Sequence, residues 1–141
     1  MTADPSHDTP TAHTIEEVPE TECWELLAGE KLGRLAVLAK DGVDIYPVNY
    51  VVSNGAVYFR SAPGQKLVDV TASPFVAFEV DGVHERRRWS VVVRGDAERL
   101  AFDSEIHASG IALLKSQAPT EKWNYVRISP KTITGRRFTS R

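Results

Sequence analysis

Cysteine is nearly absent from the chain, which has only Cys23 among its 141 residues. A single cysteine excludes an internal disulfide framework and any site built from several cysteine ligands. It suits a reducing compartment, and its position on an apolar helix face predicts a buried, unreactive thiol. We therefore expect a cytoplasmic protein whose fold is stabilised by its core alone.

Long hydrophobic runs are also missing. No apolar stretch approaches the ~20 residues of a membrane span, and the N-terminus lacks the basic-then-apolar order of a signal peptide. We expect no contact with a membrane. Hydrophobic residues make up 42% of the chain and charged residues 26%, which is typical of a soluble globular domain.

Positive charge is absent from the start of the chain. Residues 1–30 contain eight acidic residues and no lysine or arginine, whereas residues 31–141 contain seventeen basic and eleven acidic residues, a net charge of +6. A moderately basic body favours a small anionic ligand, but it falls short of a nucleic-acid-binding composition. We predict that residues 1–20 are a disordered acidic tail and that residues 21–141 form one domain.

Turn signals and apolar alternation predict a mainly antiparallel β fold. Asp41-Gly42 and Asn54-Gly55 each separate two apolar runs, as the turn of a β-hairpin does. The absence of βαβ alternation predicts a barrel of six or seven strands with short helices over its ends or flank. The predicted helices are one capped by Thr21 and ended by Gly29, then 65–72 and 103–117; the predicted strands are 32–39, 45–52, 56–62, 75–80, 88–100, 123–129 and 132–138.

A strand-to-helix junction carries the strongest sign of a ligand. The strand 56–62 contains Arg60 and Ser61 near its end, the chain breaks at Pro63-Gly64, and Lys66 lies in the first turn of the next helix. Two cations, a hydroxyl and the free backbone N–H groups of a helix N-terminus form an environment suited to phosphate. A lysine in the first turn is slightly unfavourable toward the helix dipole, which argues for an anionic ligand there.

Two further segments carry polar or aromatic residues within apolar strands. Asn49 interrupts an apolar strand; its amide could hydrogen-bond a ligand, or it could lie on the outward side of a two-faced strand. Trp89 begins a β-branched strand, where it could line a ligand or pack in an interface core. Arg94 and Gly95 at the end of this segment are predicted to be structural, with Gly95 at a bulge or close approach.

The order of these segments resembles the pyridoxamine 5′-phosphate oxidase-like superfamily, the FMN-binding split β-barrel proteins, and within it the group that includes nitroimidazole-reductase-like proteins. The resemblance covers about residues 22–138. It rests on the segments Leu32-Gly33-Arg34-Leu35-Ala36, Pro47-Val48-Asn49-Tyr50, Tyr58-Phe59-Arg60-Ser61-Ala62-Pro63-Gly64-Gln65-Lys66-Leu67, Ser73-Pro74-Phe75-Val76-Ala77-Phe78-Glu79-Val80-Asp81 and Trp89-Ser90-Val91-Val92-Val93-Arg94-Gly95.

The resemblance implies a homodimer with two FMN sites at the subunit interface. In such proteins the strand-to-helix segment binds the phosphate, the second-strand segment lies along the isoalloxazine ring, and the fifth-strand segment approaches the ring and ribityl chain. In that order, the residues implied here are Phe59, Arg60, Ser61 and Lys66; Pro47, Val48, Asn49 and Tyr50; and Trp89 and Ser90. Residues near the chain end of the partner subunit are weaker candidates: Trp123, Arg136 and Arg137.

The resulting hypothesis is a flavin-dependent oxidoreductase that passes electrons or hydride to a small organic substrate. No Ser/His/Asp arrangement, carboxylate pair or cluster of metal ligands is evident, so neither a catalytic residue nor a metal site is predicted. True pyridoxamine phosphate oxidases have a longer chain end with arginine and histidine residues for the substrate phosphate, which Gly135-Arg136-Arg137-Phe138 matches only in part, so oxidation of vitamin B6 is disfavoured.

Other ligands remain open at this stage. The deazaflavin cofactor F420 has a phosphate and an acidic tail that would also suit a basic groove. A non-catalytic flavin- or heme-binding or redox-sensing protein is a further alternative, in which His84 or His107 would have to serve as a heme ligand. An oligonucleotide-binding barrel is disfavoured because no groove of interleaved basic and aromatic residues is evident.

Overall fold

A computed structural model describes residues 13–100, 103–111 and 124–140 of the chain. The elements are β1 (His13–Val18), α1 (Glu20–Ala28), β2 (Leu32–Ala39), β3 (Gly42–Ser53), β4 (Ala56–Ser61), α2 (Gln65–Ala72), β5 (Phe75–His84), β6 (Arg87–Arg99), α3 (Asp103–Ser109) and β7 (Asn124–Ser140).

The seven strands form one antiparallel sheet that closes into a barrel. Their order is β1-β7-β4-β3-β2-β5-β6, and a further pairing of β7 with β6 joins the two sides. β7 is 17 residues long. It pairs with β6 along one edge, while its other edge pairs first with β4 and then with β1. The predicted antiparallel barrel with short helices is confirmed.

Strand alternation separates a barrel core from an outer surface. Along β6, Trp89, Val91 and Val93 are buried, whereas Ser90 and Arg94 between and after them face outward. The helices add to this core, since Cys23 and Leu27 of α1 and Val70 of α2 belong to the same buried cluster. A smaller cluster packs outside the barrel around Ala56, Tyr58, Leu100 and Ile111.

Among the described residues, three two-residue turns each connect the two strands of a hairpin. The turn at Asn54 and Gly55 has positive φ at both residues, 49° and 71°, as a tight hairpin turn requires. The β2–β3 hairpin is also confirmed. The turn at Glu85 and Arg86 has the same positive φ without glycine, 52° and 68°. β5 and β6 pair up to His84 and Arg87, so both strands extend toward the turn beyond their predicted limits at residues 80 and 88.

Residues 13–18 correct another prediction. They were assigned to the disordered tail but form β1, which pairs with the end of β7 from Val18↔Gly135 to His13↔Ser140. The sequence gives little hydrophobic signal here, and part of the attachment is ionic, through Glu16. The following helix starts at Glu20 after Pro19 and has no side-chain cap, so Thr21 is not the N-cap.

The two strands predicted over 123–138 are one continuous strand, β7. Pro130 does not interrupt it because the partner strand is irregular at this point, with a register shift between Arg94 and Gly95. A Cβ atom on Gly95 would lie 2.0 Å from the Ser129 carbonyl oxygen, so the predicted close approach at Gly95 is confirmed. The predicted helix 103–117 is observed as Asp103–Ser109, and its part from residue 112 onward lies outside the described residues.

An ionic network fixes β1 and α1 against the barrel. The guanidinium of Arg137, a largely buried residue of β7, donates to Glu16 at 3.0 Å and to Glu22. Arg87 of β6 also donates to Glu16, at 2.7 Å. The hydrogen bond from Arg137 lowers the pKa of Glu22. Two arginines and two glutamates thus connect the start of the described chain to its end.

Gly95→Ala should destabilise the barrel. The added methyl group would meet backbone atoms of β7 that cannot move without breaking the ladder, so we expect a loss of about 1–3 kcal/mol in the free energy of unfolding. Gly29→Ala is the matched control, because its nearest neighbour would be 3.6 Å away and its φ is −84°. Urea denaturation measures both; equal midpoints for the two variants would contradict this account.

The Glu22–Arg137 contact should make stability depend on pH. Because the pKa of Glu22 is lower in the folded chain, its contribution is present above the unfolded-state pKa and is lost as the pH falls through the folded-state pKa. We expect Glu22→Gln to lower the unfolding free energy near neutral pH and to flatten its decline on acidification. Glu25→Gln, on the same helix but exposed, should retain the wild-type pH dependence. Parallel pH profiles for wild type and Glu22→Gln would refute the assignment.

Candidate functional site

The junction of β4 and α2 places Arg60, Ser61 and the start of a helix together. Arg60 is half-buried, and Ser61 is buried with its hydroxyl donating to the Ala62 carbonyl at 2.9 Å. Gly64, the N-cap of α2, provides no side chain, and among the described residues no side-chain oxygen caps the helix and no acidic residue lies in its first turn. The first backbone N–H groups of α2 are therefore suited to bind an anion.

Lys66 is the second cation of this junction. Its side chain is half-buried, and its Nζ lies 5.4 Å from the centroid of the Tyr46 ring. Burial lowers the pKa of Lys66. Within the described part of the chain no ion pair compensates its charge, so an anion at the start of α2 would stabilise the ammonium form. Tyr46 was missed by the sequence reasoning, because only the folded barrel brings it against α2.

The second-strand segment divides between the two faces of β3. Pro47 and Asn49 are exposed on the outer surface, whereas Val48 and Tyr50 are buried in the barrel. The Tyr50 hydroxyl donates to the Leu27 carbonyl at 2.6 Å, and its ring meets that of Phe78 edge to face. A ligand on the surface can touch the side chains of Pro47 and Asn49 and only the backbone of the other two.

The same division applies to Phe59, Trp89 and Ser90. Phe59 and Trp89 are core residues, and the indole of Trp89 packs so closely under Gly82 that an added Cβ there would lie 3.0 Å from it. Ser90 faces outward and is half-buried. Of the ten predicted site residues, the side chains that reach the outer surface are therefore Pro47, Asn49, Arg60, Lys66 and Ser90.

Strand register brings most of these outward residues into one row across the barrel. Asn49 lies opposite Leu32 on β2, and Ser90 lies opposite Asp81 on β5. The pair Arg34↔Glu79 aligns β2 with β5, and Leu32 and Asp81 each lie two residues from it in the same direction along the sheet. Arg60 on β4 and Asn49 on β3 lie opposite each other, one position along the ladder from the pair Tyr50↔Phe59. We call Arg60, Asn49, Leu32, Asp81 and Ser90 the cross-strand row. At about 4.8 Å per strand, Ser90 lies about 19 Å from Arg60 along the sheet, a span that suits an elongated ligand.

A charged cluster lies at the centre of this surface. Arg34 of β2 donates to Glu79 at 2.7 Å and to Asp81 at 3.2 Å. Burial, followed by the neighbouring Asp81, raises the pKa of Glu79, and Arg34 opposes that rise. These three residues lie in the segments that carry the resemblance but are not among the predicted site residues. A ligand lying along the row would pass directly over them.

Next to the row the outer surface becomes apolar. Ile45 lies opposite Ala36, and Val43 lies opposite Leu38, on the strands that carry the row. Ile45, Val43, Leu38 and Phe75 are between 47% and 66% exposed, which is unusual for large apolar side chains grouped on one sheet face. This apolar patch, defined by those four residues, continues the surface that carries the cross-strand row.

The weaker candidates near the chain end differ in their contacts. Arg136 is exposed, but Arg137 is held by Glu16 and Glu22 and cannot reach across to another subunit without breaking that network. Trp123 lies outside the described residues. His84 is exposed 3.4 Å from Glu85, and His107 is exposed on α3.

Cys23 is buried and burial raises the pKa of its thiol, in agreement with the inert thiol predicted. In the described ranges no group of three or more histidine, cysteine, aspartate and glutamate residues is placed to hold a metal ion. Over the same ranges, none of the helices combines the length and apolar character needed to cross a membrane.

Comparison with known proteins places the chain among flavoprotein relatives. The family profile described as pyridoxamine 5′-phosphate oxidase matches residues 19–137. A Corynebacterium glutamicum structure assigned as a pyridoxamine 5′-phosphate oxidase is 44% identical with a TM-score of 0.78, covering 89% of this chain and 99% of that one. The FAD-binding protein of Mycobacterium smegmatis is 37% identical with a TM-score of 0.75, covering 88% and 98%. A FAD-binding protein of Mesorhizobium loti is 26% identical with a TM-score of 0.81, covering 91% and 99%.

Tyr50→Phe tests the assignment of Tyr50 to the core. The change removes the hydrogen bond to Leu27, whose carbonyl still accepts from the Glu30 N–H, so we expect a loss of about 0.5–1.5 kcal/mol in unfolding free energy. Tyr125→Phe is the control, because the Tyr125 hydroxyl has no hydrogen bond to another described residue. Thermal or urea denaturation distinguishes them, and equal stabilities of the two variants would show that the Tyr50 hydroxyl contributes nothing.

Proposed function

The chain belongs to the pyridoxamine 5′-phosphate oxidase family, and we propose on that basis that it is a flavoprotein that binds FMN along the cross-strand row and passes electrons to a small organic substrate. The observation that carries the proposal is the row itself. It begins at two cations and a helix N-terminus and continues about 19 Å across exposed strands to Ser90.

The phosphate end of the proposed site is the better defined. Arg60, Lys66 and the first N–H groups of α2 would bind the FMN phosphate, since charge-assisted hydrogen bonds are the strong ones in such a site. The position of Gly64 leaves room for close approach, because a Cβ there would meet nothing within 4 Å. Tyr46 would hold the Lys66 ammonium in place through its ring.

The ring end would lie over the outer surfaces of β3, β2 and β5. Asn49 and Ser90 supply the polar groups that can orient the polar edge of the ring, and Pro47 supplies a flat apolar contact. Val48, Tyr50, Phe59 and Trp89 would act from beneath, by fixing the strands whose backbone faces the ring. The bound flavin would supply the redox chemistry at its N5 atom, while this chain would bind and orient it.

The site would be completed by a second copy of the chain. The apolar patch beside the row exposes large side chains that a homodimer would bury, and a surface site between subunits would thereby be shielded from water. A cytoplasmic location, which the single cysteine favours, is part of the same proposal.

FAD is the second candidate cofactor, because two of the related structures are of FAD-binding proteins. FMN and FAD share the ring, the ribityl chain and the phosphate next to it, so both fit the row in the same orientation. The adenylate of FAD would have to extend past α2. Equilibrium titration with each cofactor decides between them: the proposal expects FMN to bind at least as tightly as FAD.

Replacing both cations of the phosphate end tests the proposed orientation. In an Arg60→Gln/Lys66→Gln double variant, the loss of charged hydrogen bonds of about 1.5–3 kcal/mol each should weaken FMN binding at least a hundredfold. Riboflavin, which lacks the phosphate, should bind the variant as it binds the wild type. Flavin fluorescence quenching measures both affinities.

The matched control is a Lys40→Gln/Arg86→Gln double variant, which removes one lysine and one arginine from exposed turns. It should retain wild-type affinity for both flavins. An Arg60→Gln/Lys66→Gln variant that loses FMN and riboflavin binding to the same extent would place the phosphate elsewhere.

A further inference from the structure

A groove on the outer surface of β6 and β7 contains two arginines that form no ion pair among the described residues. It has a cavity volume of about 580 Å³, which is within the range of small-molecule sites. Arg94 of β6 and Arg136 of β7 both line it. In the described ranges neither residue has an ion pair or a side-chain hydrogen bond, whereas Arg34, Arg87, Arg127 and Arg137 are all paired with carboxylates.

The two arginines lie at opposite ends of the groove floor. Arg136 is opposite Ser90 and Arg94 is opposite Thr132, so along β6 their positions are four residues, about 13 Å, apart. Both side chains are long enough to approach a ligand lying between them. Between these positions Val92 pairs with Thr134, which gives the floor an apolar and a hydroxyl surface.

The remaining charge in the groove is one carboxylate. Glu17 of β1 lines it and is opposite Arg136 in the strand register, but the two side chains do not form an ion pair among the described residues. The groove therefore has a net charge of +1, with guanidinium groups available for hydrogen bonds. Both guanidiniums are exposed and can donate to an anion, while Val92 and Ile133 of the lining offer apolar contact, so an anion with an apolar body is the ligand that this surface accommodates best.

We propose that the β6–β7 groove binds a small amphipathic organic anion, whose carboxylate or phosphate is held by Arg94 and Arg136 and whose apolar body covers Val92. This revises the structural role predicted for Arg94. The identification of this anion as the electron-accepting substrate rests on the proposed function, because Ser90 belongs to both the groove and the ring end of the cross-strand row. Binding of the anion itself does not depend on flavin.

Three benzene derivatives serve as probes of the full-length, ¹⁵N-labelled protein. Benzoate presents a carboxylate and phenyl phosphate a phosphate, while benzamide has nearly the shape of benzoate without its charge. Titrations followed by amide chemical shifts should perturb the Val92, Thr134 and Gly135 resonances with at least one of the two anions. Whichever anion binds more tightly identifies the acidic group, and uncharged benzamide should bind at least tenfold more weakly than that anion.

The variants Arg94→Gln and Arg136→Gln should each raise the dissociation constant of the bound anion at least tenfold, as expected for the loss of one charged hydrogen bond. Arg99→Gln is the matched control, since Arg99 is exposed at the far end of β6 outside the groove, and it should bind as wild type does. Benzamide binding as tightly as the better of the two anions, or affinities unchanged in both groove variants, would overturn the inference.

Two further outcomes would also overturn it. Shifts of the groove amides on dilution of the ligand-free protein would assign the groove to contact between copies of the chain. Displacement of the bound anion by FMN would assign the groove to the flavin site. FMN affinity is measured separately by fluorescence. Anion binding without FMN binding would refute the proposed function and support the anion site in the groove. FMN binding without anion binding would support the proposed function and refute the anion site.

Discussion

Closure of the barrel by the β6–β7 ladder determines which residues any ligand can reach. The ladder runs from Arg88↔Phe138 to Arg99↔Val126 and joins the two edges of the sheet. Successive side chains of a strand point to opposite faces of the sheet, so in the closed barrel each of them lies either in the core or on the outer surface. Val91 and Trp89 stabilise the fold for this reason, while Ser90 between them is available for binding. The proposed site is thus the outer side of the same strands whose inner side forms the core.

The basic residues of this surface fall into two groups, those paired with carboxylates and those without an ion pair among the described residues. Arg137, Arg87 and Arg34 are paired with carboxylates and connect neighbouring elements. Lys66, Arg94 and Arg136 have no such pairs within the described residues, and all three lie where the outer surface is concave or a helix begins. Lys66 is half-buried, so its unpaired charge costs stability unless an anion is bound. Arg94 and Arg136 are exposed and can donate to an anion without losing another partner, so the positions of these three cations identify the surfaces at which anionic ligands are expected.

Much of the fold could be predicted from the sequence because its signals are local. The Asn54-Gly55 turn and the alternation of β2 each depend on a few neighbouring residues, and β2 was predicted with its observed bounds. The β1 strand could not be predicted, since Glu16 is stabilised by Arg137, which is 121 residues away in the chain. For the candidate site, the segments lie on the strands and helix predicted for them, but the face on which each side chain lies depends on register. Thus Tyr50 and Trp89 were included among the cofactor residues although both are buried, while Arg94 was considered structural although it is exposed.

The central claim is that this surface binds a flavin, and the absorption spectrum of the protein tests it most directly. The protein is purified, incubated with excess FMN, separated from free ligand and recorded between the near ultraviolet and the visible. The account predicts the two absorption bands of an oxidised flavin, retained through the separation at a stoichiometry of one FMN per chain. A protein that remains colourless after incubation with FMN, or that carries instead the Soret band of heme or the spectrum of a deazaflavin, would contradict it.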